Sequence, residues 1–233
     1  MTSTITRAVL LVNRYPSVFI PFAFLSMAIF HVPLFLNKRI LFYKLLGTGK
    51  NGTFDIHPDF NQWALLFFYK SESDVHFKSQ EDIQTLSGTF IWRWWKWFGV
   101  KTKIIHLQPY TALGTWDKHP LIEPHQIEKD PGGQIAILTR ATIRLSRLTA
   151  FWKSVPPTAK DMDKNPGFIY SIGIGEVPFV KQATLSIWES LDHMKRFAYQ
   201  KSEHQEVIRR TRKEKWYSEE MFMRFKLVEK FSE

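Results

Sequence analysis

The stretch QIAILTRATI, Gln134–Ile143, decides the fold. It is a β-rich run and reads as a strand. Reading downstream, Leu145–Lys164 has helical spacing through Leu148, Phe151, Trp152, Val155 and Met162, with a kink expected at Pro156 and Pro157. Phe168–Ile174 and Gln182–Trp188 read as strands. Leu191–Lys213 reads as a long amphipathic helix with Leu191, Met194, Phe197, Ala198 and Ile208 on one side, and Met221–Val228 closes as a strand. The order is β-α-β-β-α-β, the split βαβ of ferredoxin-like folds.

Upstream the same order returns. Ile5–Asn13 is a strand, Pro16–Leu36 helical, Ile40–Leu46 and Gln62–Tyr69 strands, Gln80–Trp97 helical and Lys103–Gln108 a strand. The wording of the halves also matches in places. Leu46-Gly-Thr-Gly49 pairs with Ile172-Gly-Ile-Gly175, Gln62 with Gln182, and Trp97 with Trp216, all in the same order. Such spacing is what a duplication with altered loop lengths leaves. The expected fold is therefore α+β: two tandem ferredoxin-like βαββαβ repeats, residues 1–110 and 134–233, forming a pseudo-twofold α+β barrel. Residues 111–133, with Pro120, Pro124, Pro131 and Gly132-Gly133, read as a linker loop, and TWDKHP (Thr115–Pro120) is its most distinctive text.

Composition narrows the chemistry. The 233 residues contain no cysteine, which excludes disulfides, zinc–thiolate sites, iron–sulfur clusters and cysteine nucleophiles. A hydrophobic share of 44% and an aromatic share of 15% suffice to wall a large apolar pocket. The net charge of +10 favours anionic partners, but no nucleic-acid-binding signature accompanies it, so nucleic acid is not an expected partner. An anionic membrane surface fits better. Val18–Leu36 is apolar enough to suggest a transmembrane span, but it holds Pro21, His31 and Pro33, so it reads as a buried or interfacial helix. Trp92, Trp94, Trp95 and Trp97 point in several directions on a helix, and with Arg93 and Lys96 they suit a membrane surface, a core or a subunit contact. The expected location is cytoplasmic, with peripheral contact to the inner membrane.

The candidate site residues lie mainly in the second half. Arg140 and Arg144, four apart on a strand, would share a face by alternation and could hold an anionic group or polarise bound oxygen; ordinary strand-end solvation is the alternative. Gly173 and Gly175 weaken a strand end and mark close approach by another group. They do not form a dinucleotide fingerprint, because the third glycine is missing and a strand follows. Glu176 could move a proton or simply face water. His204 is either a solvent-side helix histidine or, aimed into an apolar cavity, an axial iron ligand. No phosphate loop, nucleophile elbow or H-E-x-x-H motif occurs.

Several stretches resemble the spheroidene monooxygenase family throughout the second half: LTRATIR (Leu138–Arg144), FWKSVP (Phe151–Pro156), PGFIYSIGIGEVP (Pro166–Pro178), QATLSIW (Gln182–Trp188), HQEVIRRTR (His204–Arg212) and WYSEEMFMRF (Trp216–Phe225). FYKLLGTG (Phe42–Gly49) and GTW (Gly114–Trp116) carry it more loosely in the first half. The resemblance implies an oxygen-using, haem-dependent enzyme that places a keto group on an acyclic carotenoid or a similar long apolar substrate, with an electron-donor protein as a further partner. It also implies haem iron held by His204, whose surroundings resemble the ligand helix of related haem barrels. From their own chemistry rather than from the resemblance, Gly173, Gly175 and Gln182 are read as lining the cofactor, and Arg140, Arg144 and Glu176 as catalytic residues. His193 and His106 are the rival ligands. A non-catalytic haem- or lipid-binding barrel and a haem-degrading monooxygenase are the alternatives.

Overall fold

A computed structural model describes residues 4–50, 56–72, 80–122, 132–200 and 209–231. Two compact units divide the chain: Met1–Thr48 with Asp59–Gln108, and Gly49–Pro58 with Pro109–Glu233.

The first unit contains β1 (Thr4–Arg14), α1 (Ile20–Ile29), α2 (His31–Leu36), β2 (Ile40–Gly49), β3 (Pro58–Glu72), α3 (Gln80–Ser87), α4 (Thr89–Trp97) and most of β4 (Lys101–Gly114). The strands run in the order β4-β1-β3-β2, and β1 is antiparallel to both its neighbours. Ala8–Val12 is apolar at every position because both faces of β1 are buried. Val9 and Leu11 face a helix layer with Leu65, Phe67, Phe30, Leu34, Ile91 and Trp95. The helical segment expected at Pro16–Leu36 is interrupted between Ile29 and His31. Pro33 lacks an N–H and its ring crowds the carbonyl four residues earlier, at Ile29, so the first helix stops there. Pro21 causes no such break, since it sits in the first turn of α1, where the missing donor has no helical partner to lose. Gly88, at φ 102°, likewise divides the helix expected over Gln80–Trp97 into α3 and α4.

In the second unit, β5 (Ile135–Ile143), α5 (Leu148–Asp163), β6 (Phe168–Val177), β7 (Lys181–Trp188), α6 (Leu191–Gln200) and β8 (Tyr217–Leu227) follow in order. The sheet runs β6-β7-β5-β8, antiparallel at each of these contacts. Numbered within its own unit, each sheet has the order 4-1-3-2, and each unit has its helices in the two crossovers. The protein is thus an α+β fold of eight strands among the described residues. α5 continues through Pro156–Pro157. The helix expected over Leu191–Lys213 is described as far as Gln200 and again from 209.

The segment expected as a linker joins the second unit at its start. β4 extends to Gly114, and Trp116–His119 closes a tight turn by two backbone hydrogen bonds of 3.1 and 3.0 Å. Asp117 and Lys118 both have positive φ, 50° and 66°, the conformation of a type I′ turn. Gly114 is required by close approach: a Cβ there would meet the Glu220 carbonyl oxygen of β8. Residues 123–131 of the expected linker lie outside the described residues. The proposed equivalence of Trp97 and Trp216 does not extend to their surroundings. Trp97 is 71% exposed on α4, whereas Trp216 is fully buried beside β8.

Candidate functional site

Strand alternation sorts the second sheet into two faces. Ala136, Leu138 and Arg140 of β5 share one face with Ile172 and Ile174 of β6, Ala183, Leu185 and Ile187 of β7, and Met221, Met223 and Phe225 of β8. This face is buried and, except for Arg140, apolar. The guanidinium of Arg140 is 1% exposed and meets three carboxylates: Glu219 at 2.5 Å, Glu176 at 3.5 Å and Asp117 at 3.7 Å. The Trp116 ring lies beneath it at 5.6 Å, and the Trp116 indole N–H donates to Glu176 at 2.8 Å. Lys181 supplies a second cation, 3.2 Å from Asp117. A charge buried this deeply is tolerated only because carboxylates and an aromatic face replace its water.

Glu219 is held by several donors besides Arg140. The Thr115 hydroxyl and the Lys118 N–H both reach its Oε1 at 2.8 Å. Burial pushes the Glu219 carboxyl upward, but these two donors and the hydrogen bond and charge of Arg140 together outweigh it, so the group titrates below its ordinary 4.5. Because the folded value is depressed, its contribution to stability is complete above about 4.5 and is lost as pH falls through the folded value. Glu219→Gln should therefore be less stable than wild type at neutral pH, with the difference shrinking below about pH 4.5. Thermal melts of both proteins across the acid range measure this. A constant difference would assign the effect to packing instead.

Arg144 does not join Arg140. A register shift between Thr142 and Ile143 ends the alternation, the strand stops at Ile143, and Arg144 is exposed, donating from Nε to the Tyr217 carbonyl at 3.2 Å. The shared-face reading of Arg140 and Arg144 is therefore corrected. Glu176, expected as a candidate at the strand end, does join Arg140. Gln182 packs its amide against the Cα of Gly175 and donates to the Val177 carbonyl at 3.1 Å, closing the β6–β7 hairpin. His204 lies outside the described residues. His193 hydrogen-bonds Ser190 through Nδ1 at 2.9 Å, and its ring fills the space beside Gly167. His106 stands opposite Val9 on the helix side of the first unit's sheet.

The helix side of the second sheet carries two separate cores. One joins Ile135, Ile137, Trp188, Leu191, Met194 and Phe197; the other joins Ile143, Phe151 and Trp216. Between them, on the central strand, Thr139 is exposed. Its row across the sheet is Gly173, Thr184, Thr139 and Phe222, directly paired. The Thr184 hydroxyl is buried without a hydrogen-bond partner, and so is Nε of Arg224, whose guanidinium lies over the Phe222 ring at 5.4 Å. Gly173 and Thr184 are buried and Phe222 packs against the first core, so Thr139 is the member of the row most open to solvent. Sequence reading found Gly173 by its strand-breaking character. It missed Thr184 and Arg224, since only the pairing register brings them beside Gly173 and Thr139. Among the described residues no three histidine or acidic side chains converge as a metal site.

Comparison with known proteins adds a lineage. Residues 134–227 match a family model described as "Domain of unknown function (DUF3291)". The spheroidene monooxygenase of Rhodobacter capsulatus is 31% identical over 210 residues, covering 90% of this chain and 84% of the relative. That of Rubrivivax gelatinosus is 32% identical over 186 residues, covering 79% and 67%. Among solved structures, an aldoxime dehydratase in complex with butyraldoxime aligns with a TM-score of 0.59 over 97% of this chain and 80% of its own. At 12% identity that likeness concerns the fold alone. The fold and these relatives define an oxygen-using oxidoreductase of the α+β class. The chain belongs to the spheroidene monooxygenase family.

Proposed function

We propose that this enzyme oxidises a long apolar substrate of the carotenoid class with molecular oxygen, introducing a keto group, and that haem bound on the helix side of the second sheet serves the reaction. The observation that supports the reading is the row Gly173, Thr184 and Thr139 on the helix side of the sheet, with the Thr184 hydroxyl and the neighbouring Arg224 Nε buried without hydrogen-bond partners. Their character fits a flat apolar group with acidic edges. Gly173 admits close approach, the Thr184 hydroxyl donates a hydrogen bond, and Arg224 meets a carboxylate. His204 would hold the haem iron. Haem would supply oxygen activation; the chain's own residues bind, orient and exclude water. Arg140 is better suited to holding the Trp116–His119 turn than to gripping propionates, since its charge is already met by Glu219, Glu176 and Asp117. An electron-donor protein completes the proposal.

The shared 4-1-3-2 strand order supports a further reading, that the two units are tandem ferredoxin-like repeats. Haem binding has a direct test. Protein purified from haem-replete cells should show a Soret band, and His204→Ala should abolish it or shift it to a weakly bound form while leaving the far-ultraviolet circular dichroism intact. Arg224→Ala should weaken haem affinity by about tenfold, the loss of one charge-assisted hydrogen bond. An unchanged His204→Ala spectrum would move the ligand elsewhere, and a wild type that never takes up haem would sink the cofactor assignment.

A further inference from the structure

The α1–α2 helix pair is apolar on both sides. Ala23, Ser26, Phe30 and Leu34 point into the first unit's core. The outward positions are Pro21, Phe22, Phe24, Leu25, Ala28, His31, Val32, Phe35 and Leu36, none of which carries a carboxylate or a lysine or arginine. Phe35 is 80% exposed, Leu36 69% and Val32 62%. In α1 the small residues face inward and the large ones outward, the reverse of a helix that buries its apolar stripe in its own protein. The surface extends sideways. Phe22 stacks on Phe98 at 4.4 Å and meets Trp94, which in turn touches the exposed Phe90. On the other flank Phe24 meets Phe60 and Trp63. Its one polar member, His31, is tied to the Tyr43 hydroxyl at 3.1 Å. A contiguous exposed apolar surface of this kind marks a place where something docks.

Charge selects the occupant. No aspartate or glutamate occurs between Met1 and Phe54, nor between Ile83 and Trp116, the two stretches that supply α1, α2 and α4. Lys38 and Arg39 follow α2, Arg93 and Lys96 stand on α4, and all four are exposed. Exposed Trp97 sits beside them. Apolar side chains flanked by aromatic rings and, around α2 and α4, by cations match the layers of a bilayer surface with acidic headgroups; Asp59, beside Phe60, is paired with Arg14 at 2.9 Å.

We propose that the outward face of α1–α2, with the adjoining face of α4, is a docking surface for an anionic lipid bilayer. The contact is peripheral. Phe30 and Leu34 are 2% and 1% exposed, and Ser26 accepts from the Tyr15 hydroxyl at 3.2 Å, so the inner side of the pair is committed to the protein core. The inference is independent of haem. It gives an enzyme of this family a position from which a long apolar substrate could be drawn out of the membrane.

The test is flotation of the full-length chain with vesicles of phosphatidylcholine containing phosphatidylglycerol, against phosphatidylcholine alone. Wild type should float with the acidic vesicles, less so as salt rises. Phe35→Glu should weaken binding by about tenfold or more, since an exposed apolar anchor is replaced by a charge of the wrong sign. Lys38→Ala and Arg39→Ala should each cost about fivefold on acidic vesicles only. Melting temperatures should stay at the wild-type value, because none of these side chains is in the core. Failure to float, or flotation unaltered by Phe35→Glu, overturns the proposal. So does flotation equal on both lipids, or resistance to carbonate extraction, which would mean a spanning helix. A stable dimer by light scattering that Phe35→Glu dissociates would assign the face to a second copy and overturn it too.

Discussion

Arg140→Ala should destabilise the protein by about 3–5 kcal/mol, the cost of removing one partner from a buried ion pair. The guanidinium is buried, and its loss takes from Glu219, Glu176 and Asp117 a cation that all three face. For a chain of this length the melting temperature should fall on the order of 10 °C. The pH dependence separates this from a loss of packing. In wild type, acid removes the contribution of Glu219, whose carboxyl is held low. Arg140→Ala has already lost the Arg140 part of that contribution, so the gap to wild type should narrow as pH falls through the range in which Glu219 is protonated. Arg140→Lys should recover little, because an ammonium cannot present the planar fork that meets several carboxylates at once. A variant melting within two or so degrees of wild type, roughly 1 kcal/mol by the same scaling, would show that the cluster contributes little.

Phe30→Ala should be comparably damaging, about 3–5 kcal/mol. Phe30 is the pivot between α1 and α2, 2% exposed, and its ring meets Phe90, Trp94 and Trp95 edge-on at 6.2, 6.0 and 5.8 Å. Truncation leaves a cavity bounded by rigid rings that cannot collapse into it. The neighbouring Phe35→Glu, at an exposed position, should leave the melt unchanged. Calorimetry of the two variants therefore reads the inner and outer sides of one helix pair separately. Equal losses from both would mean that the outer side is also structural.

The element order was legible because period-two and period-3.6 patterns survive in the text. QIAILTRATI reads as a strand without reference to anything else, and Gly132-Gly133 before it mark a real end, whereas Pro156–Pro157 do not end α5. Some local breaks follow from position rather than residue type. Pro21 opens a helix rather than breaking one, and Gly88 divides one because its backbone lies where most side chains cannot follow. Arg144 shows why spacing alone misleads. One irregularity in the ladder puts it at the surface, and bulges leave no mark in a single sequence.

By itself, the sequence determined the α+β order of strands and helices, the absence of cysteine chemistry and the family. It also determined the apolar, acid-free character of the helices near the N-terminus. All of these depend on residue type and on neighbours close along the chain. Only the tertiary structure decided which side chains meet. Arg140, Glu176 and Glu219 lie on three strands, and Trp116 and Asp117 come from a turn expected to be a linker. Gly173, Thr184, Thr139 and Phe222 become one row only through the register of four strands. Register is set by which faces are buried across the whole sheet, a global balance of packing that no local window of sequence contains.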